Sequence, residues 1–132
     1  MIGIDTNVIL RFILADDPIQ YELAKRLIRS RSLEEPAYVS LLVFAEACGI
    51  LRSRYGYEDA VIAETFRELL VAEELVFEDE DFLDALLTNE RAYGGDLADY
   101  VIAHLAARAG CSKTVTFDRE AARRIPAMEL LS

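Results

Sequence analysis

The chain predicts an α/β fold, a three-layer α/β/α sandwich with a mostly parallel central sheet, as a single domain over residues 1–132. Three observations carry this. Short apolar runs alternate with longer amphipathic stretches, the pattern of strands joined by helical crossovers. Two of the runs, at residues 1–4 and 114–117, stop at an acid, Asp5 and Asp118, where a helical pattern begins. The length and the 53% hydrophobic content suffice for a core without disulfides or a structural metal.

Residues 1–4 read as a buried strand, and Thr6-Asn7 before Val8-Ile9-Leu10 signals a helix start, with Asp5 or Thr6 as its cap. The helical spacing of residues 8–15 stops at Asp16-Asp17-Pro18, and Pro18 opens a second helix to about residue 31, with Leu23, Leu27 and Ile28 on one face. Glu34-Glu35-Pro36 breaks it. Residues 37–39 are a strand, and Ser40 caps an apolar helix over 41–54. Glu46 interrupts that helix among Val43, Phe44, Ala47 and Cys48, where a carboxylate is desolvated unless paired or metal-bound. After Tyr55-Gly56-Tyr57 come a helix over 58–71, a strand over 75–77 and a helix over 82–93 ended by Gly94-Gly95. A further helix runs from Asp96 to Gly110, with Asp96 and Asp99 on one face of its first turn, where both also serve as a cap or a dipole partner. Residues 119–124 form a short helix and 128–131 an edge strand, giving the order β-α-α-β-α-α-β-α-α-β-α-β without repeats or linkers.

The net charge of -10 is unevenly spread: residues 1–57, 58–99 and 100–132 carry 0, -12 and +2. The central acidic block, including Glu78-Asp79-Glu80-Asp81, reads as a solvated face or as a docking surface for a basic partner. General electrostatics cannot bring nucleic acid to such a chain, so that activity requires local arginines or a bound cation. No stretch approaches the ~20 apolar residues of a membrane span. A soluble, cytoplasmic protein without membrane partners is expected. Cys48 and Cys111 follow no metal-ligand spacing and are expected as buried thiols in helical surroundings.

If the strands are parallel neighbours, Asp5, Glu46, Asp99 and Asp118 converge at one edge of the sheet, where ligands of open α/β sheets bind. Two unit charges 4 Å apart at an effective dielectric of 20 repel by roughly 4 kcal/mol. Such a cluster holds protons or cations. Oxygen ligands without histidine or thiolate select hard ions, Mg2+ or Mn2+.

The opening IDTNVILRFILADDP, the segments SLLVFAE (residues 40–46) and DYVIA (99–103), and TFD (116–118) together resemble, in order, the motifs of the PIN domain, and within it the VapC-type ribonuclease toxins of toxin-antitoxin pairs. The resemblance implies that Asp5, Glu46, Asp99 and Asp118 bind the catalytic metal, that Thr6 and Asn7 orient Asp5 or the water shell, and that Thr116 supports Asp118. Asp99 fits the acid-x-x-Ile-Ala pattern better than Asp96, which touches a second metal or only caps its helix. The implied reaction is metal-dependent hydrolysis of RNA, with a small antitoxin partner and homodimerisation through apolar helices. A non-toxin RNA-processing nuclease and a catalytically silent interaction module are the alternatives. Arg11 and Arg119 are candidate phosphate contacts, or else surface arginines.

Rival readings lose on particular residues. An aspartate-nucleophile phosphotransferase needs an acid two residues beyond Asp5, where Asn7 stands, and a receiver domain needs paired acids after the first strand. No GxxxxGK phosphate loop occurs. His104, five residues beyond Asp99 and so about 140° around the helix, is expected to point away from the site. Tyr100, Tyr93 and Phe12 are candidates for base stacking or for packing.

Overall fold

A computed structural model describes residues 1–89 and 96–132. It contains β1 (Ile2–Gly3), α1 (Thr6–Leu14), α2 (Pro18–Arg29), β2 (Ala37–Val39), α3 (Leu41–Ser53), α4 (Asp59–Leu70), β3 (Leu75–Phe77), α5 (Glu80–Thr88), α6 (Leu97–Arg108), β4 (Thr114–Thr116), α7 (Arg119–Arg124) and β5 (Met128–Leu130). This is an α/β sandwich, rich in helices, whose strands all pair in parallel. The order of elements is the one expected. The fifth helix, expected over 82–93, instead spans Glu80–Thr88 and stops at Asn89, whose backbone is extended; Tyr93 and Gly94-Gly95 lie outside the described residues.

Side chains fix the element ends. Asp5, Asp17, Ser40, Asp96 and Asp118 each accept a hydrogen bond from a backbone N–H two or three residues on, satisfying a donor that the first helical turn leaves open. Because Asp5 itself is the cap, α1 starts two residues before the apolar spacing suggests. Its other end closes on Ala15, which adopts the left-handed conformation at φ 52° and donates to the Arg11 carbonyl. Hydrogen bonding divides the expected single sheet in two, β1-β2-β3 and β4-β5, among the described residues. The two-residue β1 commits its ladder to β2, with Ile4 N–H also reaching the Tyr38 carbonyl at 3.0 Å.

The core lies around α3, which packs against α1, α4 and α6. Phe44 of α3 meets Phe66 of α4 edge to face at 4.8 Å, and Phe66 meets Phe77 of β3 at 6.3 Å, a geometry favoured by the ring quadrupoles. Ala103, Ala121, Ile125 and Met128 form a smaller cluster that seats α7 and β5 beside α6.

Three expectations change. Glu46 is exposed, because the buried face of α3 runs through Phe44, Ala47, Cys48 and Leu51, and position 46 falls on the opposite side of the helix. Cys48 is buried but Cys111 is exposed, since α6 ends at Arg108 and Gly110, at φ 99°, turns the chain out of the helix first. The acidic block is only partly a solvated face. Glu78 Oε1 accepts from Leu41 N–H at 2.9 Å and Glu80 Oε1 from Phe77 N–H at 3.1 Å. Arg108 Nη1 reaches Glu78 at 3.1 Å and Asp79 at 2.7 Å.

Candidate active site

Asp5 follows β1 and Asp118 follows β4, each at the point where its strand turns into a helix. Each cap uses one carboxylate oxygen: Asp5 Oδ1 takes Val8 N–H at 3.1 Å, Asp118 Oδ1 takes Ala121 N–H at 3.0 Å and Asp96 Oδ1 takes Ala98 N–H at 2.9 Å. Asp118 N–H donates to Thr116 Oγ1 at 3.0 Å, which ties the acid to the end of β4. Thr6 Oγ1 donates to Glu46 Oε2 at 3.0 Å, joining α1 to α3.

Asp96, Asp99 and Asp118 line one cavity of about 340 Å³, together with Tyr100, Arg52 and Arg124. Burial pushes the Asp99 carboxyl above its usual range, Asp96 and Asp118 push it further, and Arg52 opposes them. Asp59, in the first turn of α4, has its carboxyl raised by burial, with Arg52 the main counterweight and Asp96 adding to the rise. Asp5 and Asn7 line a different and more apolar cavity of about 320 Å³, walled by Val8, Arg11, Leu23 and Leu27.

The predicted acids therefore fall into two groups. Asp99, Asp118 and Asp96 share a cavity; Asp5 lines a separate one, and Glu46 is held by Thr6. No group of three acidic, histidine or cysteine side chains among the described residues is gathered closely enough to hold a metal ion. The donor chemistry of the shared cavity nonetheless fits a hard cation: its acids offer oxygen alone, and the raised Asp99 carboxyl marks a place where uncompensated negative charge is unfavourable.

Of the predicted arginines, Arg11 is ion-paired with Asp16 at 3.0 Å and Arg119 is exposed. The cavity takes its positive charge from Arg52 and Arg124, which no local pattern marks: they reach it only through the packing of α3 and α7 around α6. His104 stands apart from these acids. Its Nε2 lies 2.9 Å from Asp79 Oδ2 and its ring stacks on Phe82 at 3.8 Å. Tyr100 lines the cavity, whereas Phe12 stacks with Tyr21 at 6.4 Å and Tyr93 lies outside the described residues.

Parallel strands, with acids where strand meets helix and a cavity between α6 and α7 lined by carboxylates and arginines, define an α/β fold that carries a cluster of ionisable groups. The PIN-domain family profile matches residues 2–127, and the chain belongs to that family, whose members are generally nucleases and typically use Mg2+ or Mn2+. No curated protein and no solved structure matches the chain. No helix among the described residues is long and apolar enough to cross a membrane.

Proposed function

We propose that the chain is an Mg2+- or Mn2+-dependent ribonuclease that hydrolyses RNA phosphodiester bonds and acts as the toxin of a VapBC-type pair. The observation that carries the nuclease reading is the shared cavity of Asp96, Asp99 and Asp118 in a chain of the PIN family. Asp99 and Asp118 from that cavity, joined as the motif resemblance implies by Asp5 and Glu46, are the residues that would hold the ion. Such an ion, when bound, neutralises phosphate charge and makes water acidic enough to supply the nucleophile.

The chain's own part is to position. The Thr6 hydroxyl fixes one Glu46 oxygen, and the cap bonds of Asp5 and Asp118 hold those carboxylates at helix starts. The Thr116 hydroxyl stiffens the turn beneath Asp118. Asp96 adds its carboxylate to the cavity of Asp99 and Asp118, and Asn7 lines the separate cavity beside Asp5.

Asp99→Asn is expected to abolish magnesium-dependent cleavage of single-stranded RNA, read as fragments on a denaturing gel. Cleavage at the wild-type rate in that variant overturns the assignment. The toxin role, a small antitoxin partner, a homodimer and a cytoplasmic location rest on the motif resemblance. Ile19 and Leu23, exposed apolar residues of α2, offer surface for such contacts. Growth arrest on expression, relieved by co-expression of a small neighbouring gene, is the expected outcome; arrest-free expression of an active nuclease favours an RNA-processing role.

A further inference from the structure

The cavity that holds Asp96, Asp99 and Asp118 has a cationic wall for which the nuclease reading has as yet no role. Arg52, near the end of α3, and Arg124, the last residue of α7, both line it. Arg52 Nε lies 3.2 Å from Asp59 Oδ1, and Asp59 is the more enclosed partner, with 11% of its side chain exposed against 44% for Arg52. Asp59 Oδ1 is buried and accepts no hydrogen bond among the described residues, so it anchors Arg52 by charge alone. Arg124 is loosely held. Its Nε is 3.5 Å from Glu120 Oε2, while Arg123 Nη2 takes the same oxygen at 2.7 Å.

Two guanidinium groups beside four carboxylates, those of Asp96, Asp99, Asp118 and Glu120, would only hinder a pocket that bound a cation and nothing else, because like charges compete for the same acids. They suit a pocket that must also admit an anion. Guanidinium forks match phosphate oxygens in pairs, and a chain of net charge -10 has no general field to draw a polyanion in. We infer that Arg52 and Arg124 form a clamp for the phosphodiester backbone of RNA, seating it over Asp99 and Asp118, with Asp59 as the positioning residue that aims Arg52. The clamp rests on the nuclease reading for its substrate, yet binding and cleavage can be measured apart.

A fluorescein-labelled single-stranded RNA is titrated by anisotropy against the full chain in magnesium buffer at several KCl concentrations, with Asp5→Asn as the parent for the binding work; cleavage by the wild-type chain is followed on gels. Arg52→Gln and Arg124→Gln are each expected to weaken binding about 5–10-fold and to flatten the slope of log Kd against log salt by roughly 0.7, the double variant by roughly 1.4. Arg52→Lys should restore the slope, since it keeps the charge. In the cleaving protein the loss should fall on KM more than on kcat. Because Arg52→Gln strands the half-buried Asp59 carboxylate, Arg52→Gln/Asp59→Asn is measured beside it, and Arg124→Gln tests the clamp without touching that pair. A salt slope unchanged in all of these variants overturns the clamp, even where melting temperature falls, since a purely structural role moves stability alone. A chain that fails to cleave but retains the arginine-dependent slope overturns the nuclease reading and leaves the clamp standing. Absence of RNA binding by the parent and the wild type overturns both.

Discussion

Asp99 shows how a single side chain serves two opposed ends. Its carboxyl is half-enclosed beside Asp96 and Asp118, and its raised proton affinity measures how poorly the folded chain tolerates the bare charge there. Replacing it by Asn keeps the shape and removes the charge. Cleavage should fall by at least ~100-fold, the upper range for losing even an outer contact of a metal site. Melting in chelator should occur at a higher temperature than for the wild type, because the unfavourable enclosure of charge has gone. Asp79 is the reverse case. The His104 hydrogen bond and then Arg108 hold its carboxyl below the usual value of 3.8. With the folded-state value depressed, the unfolded chain binds the extra proton, so the stabilisation is fully present above pH 3.8 and is lost as pH falls through the lower folded value. Asp79→Asn, which tolerates the left-handed φ of 53° at this position, should melt below the wild type at pH 6, with the gap closing as the pH drops from about 4 towards 2. A gap that stays constant across that range would show that the clasp with α6 is not ionic.

At the scale of elements, the helix and strand order was legible because hydrophobic period and turn chemistry agree over most of the chain. The capping acids were legible too, since an Asp or Ser before an apolar run has a local meaning. Glu46 was not, because its sequence neighbours are apolar while its neighbours in space are Thr6 and solvent; the helical period, counted from Phe44, would have placed it outward. Arg52 and Arg124 were invisible for a different reason: a cavity between helices distant in sequence leaves no local pattern. The division of the strands into two sheets likewise depends on which partners a two-residue β1 can satisfy. Ala15 was legible only as a stop at Asp16-Asp17-Pro18. Its left-handed conformation costs an L-residue roughly 1–2 kcal/mol, part of which glycine gives back through a freer unfolded chain. Ala15→Gly is therefore expected to stabilise the protein by about 0.5–1 kcal/mol, seen as a shift of the urea midpoint with an unchanged slope. It should leave RNA cleavage as it was, since Ala15 lies at the far end of α1 from Asp5.

The whole molecule joins a dry core to an acidic rim, and the two respond differently to solutes. The core around Phe44 and Phe66 is apolar, with no polar or charged residue fully buried among those described, so salt should affect it little. Asp96, Asp99 and Asp118 carry negative charge that folding gathers around one cavity, and the proposed divalent ion, binding there, would add stability to the folded state only. By mass action that stabilisation grows with the logarithm of free ion, reaching about 2.7 kcal/mol at a hundred times the dissociation constant and rising by roughly 1.4 kcal/mol for each further tenfold. The melting temperature of the wild-type chain should accordingly climb steadily with MgCl2 or MnCl2 at fixed ionic strength, while sodium chloride at matched strength produces a smaller, saturating rise from screening alone. In Asp99→Asn and Asp118→Asn the divalent-specific part should disappear and the screening part remain. Equal responses to magnesium and sodium in the wild type would mean that the acids act only as a diffuse charge, and the proposed metal-dependent chemistry would then lose its site.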